Sequence, residues 1–193
     1  METTNTPTLL SSRLILRKFT EADIQALFLL LKDEQVNTYL PWFPAKTLSN
    51  ARAFYEQRFA KTSCSAQGYK YAVCLKEDNI PIGYVQMDAG DAHDIGYALR
   101  KEFWHRGIMR EAVERLIVQL RKDKIPYITA THDINNVQSG RVMQAVGMQY
   151  MYSYKEQWQP KNIPVIFNMY QLNLDGEDRI YTKYREKYGE CFI

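Results

Sequence analysis

Cysteine is scarce: Cys64, Cys74 and Cys191 are the three in 193 residues. An odd number at wide spacing builds neither a disulfide framework nor a zinc motif. Reduced thiols in a cytoplasmic protein are the expectation. Histidine is as sparse, and His93, His105 and His132 lack the spacing at which a helix presents metal ligands, so no structural metal is expected. No window holds the roughly 18 unbroken apolar residues of a membrane helix. The longest apolar cluster, "ALFLLL", is too short, and "METTNTPTLLSSRL" lacks the basic segment and apolar run of a signal peptide. There is little excess charge of either sign. A formal net of +3 argues against a general nucleic-acid binder while permitting a local basic patch. The chain also lacks an internal repeat, a low-complexity linker, and both the G-x-x-x-x-G-K-[ST] and G-x-G-x-x-G phosphate loops.

What is present is material for a core. Apolar residues make up 46%, with 14 Tyr, 8 Phe and 3 Trp, which excludes disorder for most of the chain. The length suits one domain, set at 1–174, followed by a charged, tyrosine-rich tail or short helix at 175–193. "RLILRKF" alternates as a strand. "TEADIQALFLLLKD" follows as a helix, with Thr20 as N-cap and Ile24, Leu27, Phe28 and Leu31 along one face. "TLSNARAFYEQRFAK" reads as a second amphipathic helix. "YKYAVCLK", "IPIGYVQMD" and "DIGYALR" are three strands separated by turns. From Gly107 the period changes. Met109, Ala112, Val113, Leu116, Ile117 and Leu120 fall at the spacing of a buried helical stripe. "PYITATH" is a strand. "NNVQSGRVMQAVGM" is a helix that Asn135 and Gln138 can box and Gly147 can stop. "MQYMYSYKEQW" and "IPVIFNMYQLNL" close the pattern as an antiparallel pair. The segment from Asp94 to Thr131 is then a β-α-β unit, which requires a crossover between parallel strands.

Gly107 opens the most strongly patterned helix of the chain, between Arg106 and Arg110. A helix start leaves about four backbone N–H groups without partners, and with the macrodipole they form an anion site. Glycine allows a phosphate to approach those groups closely. Arg100, Lys101 and His105 add positive charge, opposed by Glu102. Taken alone, the glycine fits a simple turn with a solvated basic rim equally well.

"DIGYALRKEFWHRGIMREA", followed after one strand by "NNVQSGRVMQAVGM", resembles the GNAT superfamily of acetyl-CoA-dependent N-acetyltransferases. It is most similar to the branch of ribosomal-protein N-terminal acetyltransferases. The likeness runs from about Leu10 to Leu174 and includes "SSRLILRKFTEAD" and the "YLPW" loop. Of the superfamily's [Q/R]-x-x-G-x-[G/A] loop only Gly107 matches, with Trp104 and Met109 at the outer positions. The branch form "FW..G...EA" fits better, with Arg110 where a small hydroxyl residue is common.

The resemblance implies an α/β GNAT fold with a central, mixed, mostly antiparallel sheet of about seven strands flanked by about four helices. It implies acetyl-CoA held at Ala98, Leu99, Arg100, His105, Arg106, Gly107, Met109, Arg110 and Asn136. It further implies that the strand holding Ala98 and Leu99 splays from the next, so that its backbone would pair with the pantetheine arm and polarise the thioester. Asn136 and Ser139 match the family's N-x-x-S. Asn136 would bond the cofactor arm and Ser139 would stand near the sulfur as a proton donor, where spacing alone reads a first-turn polar residue and an exposed serine. Glu156 is in the region of the general base, or is a charged strand-end residue. Glu111 suits the helix dipole and reads as structural, and Tyr97 reads as a packing residue. Trp42 and Phe43 would line the acceptor groove or anchor their loop. The acceptor is an amine, with a protein N-terminus favoured by analogy. No membrane or nucleic-acid partner is expected, and the chain is a monomer or homodimer. A non-catalytic acyl-CoA sensor, or an enzyme acting on a small amine such as a polyamine, amino acid or antibiotic, is the alternative.

Overall fold

Residues 6–60 and 68–191 are described by a computed structural model. Cys64 and Lys61 lie outside the described residues. The alternating segment Leu14–Arg17 is β2. It pairs on one side with β1 (Leu9–Leu10) and on the other with β3 (Tyr69–Leu75). β4 (Pro81–Met87) and β5 (Ile95–Leu99) complete an antiparallel sheet in the order β1-β2-β3-β4-β5. A second antiparallel sheet holds β6 (Tyr127–Asp133), β7 (Gln149–Trp158), β8 (Ile163–Asn173) and β9 (Glu190–Cys191), ordered β6-β8-β7-β9. Among the described residues the sheets are joined by one isolated parallel bridge, Asp94 to Thr129. Beyond it β5 and β6 do not pair, so the expected splay is present and the expected single sheet is two. The strand count exceeds about seven because β1 and β9 are two residues each, too short to leave a period-2 pattern.

The helices are α1 (Ile24–Lys32), α2 (Glu34–Asn37), α3 (Leu48–Tyr55), α4 (Ile108–Lys122), α5 (Val137–Ala145) and α6 (Lys183–Tyr188). The stripe anticipated on α4 is buried throughout, and Leu116 and Leu120 have no exposed surface. α4 packs with β2, β4 and β5 in the main core, which Met143 of α5 joins. α1 and α3 cover the opposite face through Leu27, Leu30, Leu31, Ala51 and Tyr55, against Ala72, Tyr84 and Ala98. α6 lays Tyr184 and Tyr188 on a third cluster, Tyr152, Tyr154 and Phe167 of the second sheet.

Local chemistry fixes the starts of these helices. Thr20 N–H donates to Asp23 Oδ2 at 2.7 Å. Asp23 also takes both Arg17 guanidinium branches, at 2.7 and 2.9 Å, tying the start of α1 to β2. Asp33 caps α2, and Thr47 with Asn50 forms a capping box on α3. α5 is capped by Asn136, whose side chain accepts from Ser139 N–H at 3.4 Å, and not by Asn135. Asn135 is drawn back one position by its own bonds to Asp133 Oδ1. Gly147, at φ 88°, ends α5, with Met148 N–H reaching back to Met143 O at 3.0 Å.

Candidate active site

The gap between the two sheets opens into a cleft of about 490 Å³. Its floor is the end of β5, Tyr97 to Leu99. One wall is the start of α4, another is α5 with Asn136 and Ser139, and the far end is closed by Gln35, Val36, Tyr39 and Leu40 of the α2 region. Tyr39 OH reaches Asn135 O across that end at 3.4 Å.

Neighbouring residues of a strand direct their backbone groups to opposite edges. Arg100 N–H bonds Ile82 O of β4 at 2.8 Å. Alternation therefore turns Ala98 towards β4 and Leu99 and Tyr97 towards the gap. Gly83 agrees, since a Cβ there would meet Ala98 O at 2.3 Å. Of the two residues expected to offer backbone to a ligand, Leu99 is placed to do so and Ala98 is not. The Leu99 carbonyl is taken by Trp104 Nε1 at 2.7 Å, which leaves its N–H as the group facing the cleft. Nothing in the spacing of Trp104 announced that bond.

At the other end of the cleft, Gly107 is the N-cap of α4, with φ 70°. His105 also has positive φ, 59°. Alternating left-handed residues before a helix turn successive N–H groups into one concavity, a ready anion site. A Cβ on Gly107 would meet only Arg13 Nη2, at 3.7 Å. Space at the Cβ position is therefore open, and the left-handed φ is what demands glycine. Arg13 is a residue that sequence reasoning missed. Its Nη1 donates to Arg106 O at 3.0 Å and its Nε to Glu111 Oε2 at 2.7 Å. Glu111 also accepts from Ser11 Oγ, Ser12 Oγ and Arg13 N–H at 2.7, 2.8 and 2.9 Å. Burial alone would raise the Glu111 carboxyl, but these bonds outweigh it and hold the group down at about 2. Glu111 is thus structural, and Arg13 offsets a carboxylate that would repel an anion at this helix end.

Residues 13–149 match the model of the acetyltransferase (GNAT) domain. The chain belongs to this family. An uncharacterised N-acetyltransferase, p20, of Bacillus licheniformis is 31% identical over 115 residues, covering 57% of this chain and 64% of the relative. The fold is also that of solved GNAT structures. A GNAT acetyltransferase from Bacillus anthracis superposes with a TM-score of 0.75 at 22% identity, covering 88% of this chain and 99% of that one. The ribosomal L7/L12 α-N-protein acetyltransferase RimL, solved with coenzyme A, gives 0.77 at 20% identity, covering 89% and 100%.

The GNAT cleft of this chain gathers Ala98, Leu99, His105, Arg106, Gly107, Met109, Arg110, Asn136 and Ser139. Met109 is buried, while His105, Arg106 and Arg110 are exposed at the rim. Arg110 Nε bonds Glu114 at 2.8 Å. Arg100 is turned onto Glu102 and the Phe103 ring and does not line the cleft. Trp42 and Phe43 line a separate depression beside α3. There the Trp42 indole bonds Asn37 Oδ1 at 2.9 Å and carries the Arg58 guanidinium on its ring, while Phe43 is 64% exposed. Glu156 is half-buried on β7, also outside the cleft lining. Arg141, Gln35 and Tyr39 line it without having been anticipated. The signal at Gln35 is weak, because α2 is only four residues long and presents no readable face.

Proposed function

We propose that this protein transfers an acetyl group from acetyl-CoA directly to a primary amine, with a protein or peptide N-terminus as the acceptor. The observation that carries the reading is the cleft itself. It runs from an open, left-handed amide cradle at Gly107 to the unpaired edge of β5 at Leu99. That suits a long carrier with phosphates at one end and a reactive carbonyl at the other. The RimL likeness supports the choice of acceptor.

Acetyl-CoA supplies the activated thioester. The α4 amides with Arg106 and Arg110 would hold its phosphates. Asn136 Oδ1 is used in capping Ser139 N–H, so its amide NH₂ is the group left to bond the carrier arm. Leu99 N–H is the backbone donor that would meet the thioester carbonyl and stabilise the negative charge growing on its oxygen. The amine must attack as the free base, and an α-amine, with a pKa of about 7.7–8.0, is partly neutral near pH 7. Glu156 is the carboxylate assigned to take the surplus proton. It would act through water, since it stands outside the cleft lining. Ser139 donates a hydrogen bond to the sulfur as the C–S bond breaks. No cysteine is required.

The test is release of CoA thiol from acetyl-CoA in the presence of N-terminal peptides, lysine peptides, polyamines and free amino acids. Release with α-amino peptides is expected. Release with small amines alone would reassign the acceptor. Tight CoA binding with no turnover on any amine would replace the enzyme with a sensor.

A further inference from the structure

Tyr97 on β5 and Ser139 on the first turn of α5 face each other across the gap between the two sheets. The phenol oxygen lies 2.9 Å from the Ser139 carbonyl oxygen and 3.0 Å from Ser139 Oγ. A carbonyl can only accept, so with the phenol hydrogen on it the 3.0 Å contact to Oγ is a hydrogen bond only when the serine hydrogen points at the phenol oxygen. In that state Ser139 offers no hydrogen to the cleft. Both acceptors are within reach of the same hydroxyl, however. The phenol hydrogen can turn from the carbonyl to Oγ without any heavy atom moving. Ser139 then receives a hydrogen bond from Tyr97 and is free to give its own.

We propose that Tyr97 is a positioning residue that switches Ser139 between a resting state and a donating state. This rests on the reading above in which Ser139 faces the sulfur. The switch moves hydrogen bonds and not protons, and both hydroxyls keep their hydrogens. The amine nitrogen bonds to the carbonyl carbon, and the C–S pair passes to sulfur. The proton lost by the nitrogen and the one gained by sulfur balance through water. Burial, the largest influence on Tyr97, holds its phenol above the ordinary value, so it stays protonated throughout. A hydroxyl that itself receives a hydrogen bond is a stronger donor. Tyr97 therefore acts on the sulfur only by way of Ser139.

Tyr97→Phe, Ser139→Ala and the double variant test this, with kcat, acceptor KM, CoA Kd and Tm measured on each. Ser139→Ala is expected to lower kcat about tenfold, and Tyr97→Phe about fivefold, with CoA Kd within about twofold. Tyr97→Phe should change kcat less than about twofold in the Ser139→Ala background, because the two act as one unit. A general loss of packing would not vanish in that background. If Ser139→Ala turns over like the unaltered protein, the role of Ser139 itself is wrong. If Ser139→Ala is slow but Tyr97→Phe is normal, or the two losses multiply, the switch alone is overturned. Should Tyr97→Phe fail to fold, 3-fluorotyrosine at position 97 keeps the ring and strengthens the donor. It should raise kcat when Ser139 is present and leave it unchanged in Ser139→Ala, and no change in either overturns the switch.

Discussion

At Gly107 two demands on one residue can be separated. The left-handed φ of 70° costs an ordinary L-residue about 1–2 kcal/mol, whereas space at the Cβ position is open apart from Arg13. Gly107→Ala should therefore lower Tm by a few degrees and weaken CoA binding. Gly107→Asn should retain more of both, because Asn visits the left-handed region more readily. Calorimetric titration of CoA with the two variants checks the order; an Asn variant weaker than the Ala variant would show that space and not conformation is limiting. Four residues on, Glu111 makes a pH prediction. Its folded carboxyl titrates at about 2 against 4.5 for the free group. The folded state thus holds its proton less tightly. The stabilisation is fully present above about pH 4.5 and is lost as pH falls towards 2. Glu111→Gln should flatten the acid limb of a urea-stability profile across that window and lower stability at neutral pH. An unchanged acid limb would mean that the bonds from Ser11, Ser12 and Arg13 persist into the unfolded chain.

Elements were legible where a pattern repeats. The α4 stripe, spaced from Met109 to Leu120, is a buried helix because six apolar residues recur at the helical period. Elements held by contacts distant in sequence were not. Arg13 meets Glu111 across 98 residues, and Lys161 meets α2 across more than 120. No periodicity records either. The helix start at Gly107 was readable as a candidate anion site because "FW..G...EA" is local. The far end of the cleft was not, because it is built from α2 with Tyr39 and Leu40 and is held by the distant β7–β8 turn. Lys161 is the clasp of that assembly. Its Nζ donates to Asn37 O at 2.7 Å and Thr38 O at 2.8 Å, pinning the turn to the helix end that closes the cleft. Burial lowers its ammonium pKa, in keeping with a site where the two carbonyls replace water. Lys161→Met keeps the stem and removes the donors; Asn37 O keeps the Leu40 N–H at 3.3 Å and the exposed Thr38 O turns to water, so what is lost is the tie between the turn and the helix end. The acceptor KM is expected to rise about threefold or more, with CoA Kd unchanged and Lys161→Arg partly restoring it. Equal KM values for Lys161→Met and the unaltered protein would show that the clasp has no bearing on the acceptor.

Across the whole molecule, the second sheet has two faces and only one is covered by α5. The other presents Tyr152, Tyr154, Val165, Phe167 and Met169, all buried, with α6 over them. The Tyr154 ring stacks on Tyr184 and Tyr188 at 5.2 and 5.4 Å between centroids, and Tyr152 OH donates to Tyr181 O at 2.7 Å. Lys183 and Tyr181 OH also reach Asp91, on the turn between β4 and β5. α6 thus touches both sheets near the point where the Asp94–Thr129 bridge joins them. A six-residue helix has little stability of its own, so its place is set by those rings. Removing residues 175–193 would expose the whole tyrosine face. A contiguous apolar face of that kind on a monomer invites association. The shortened chain is expected to bind a hydrophobic dye, lose at least about 5 °C in Tm and self-associate on sedimentation. Tyr184→Ala, which opens the same face at one point, should show a smaller version of each effect. A truncated chain as stable and as monodisperse as the full one would show that the cluster closes over without α6.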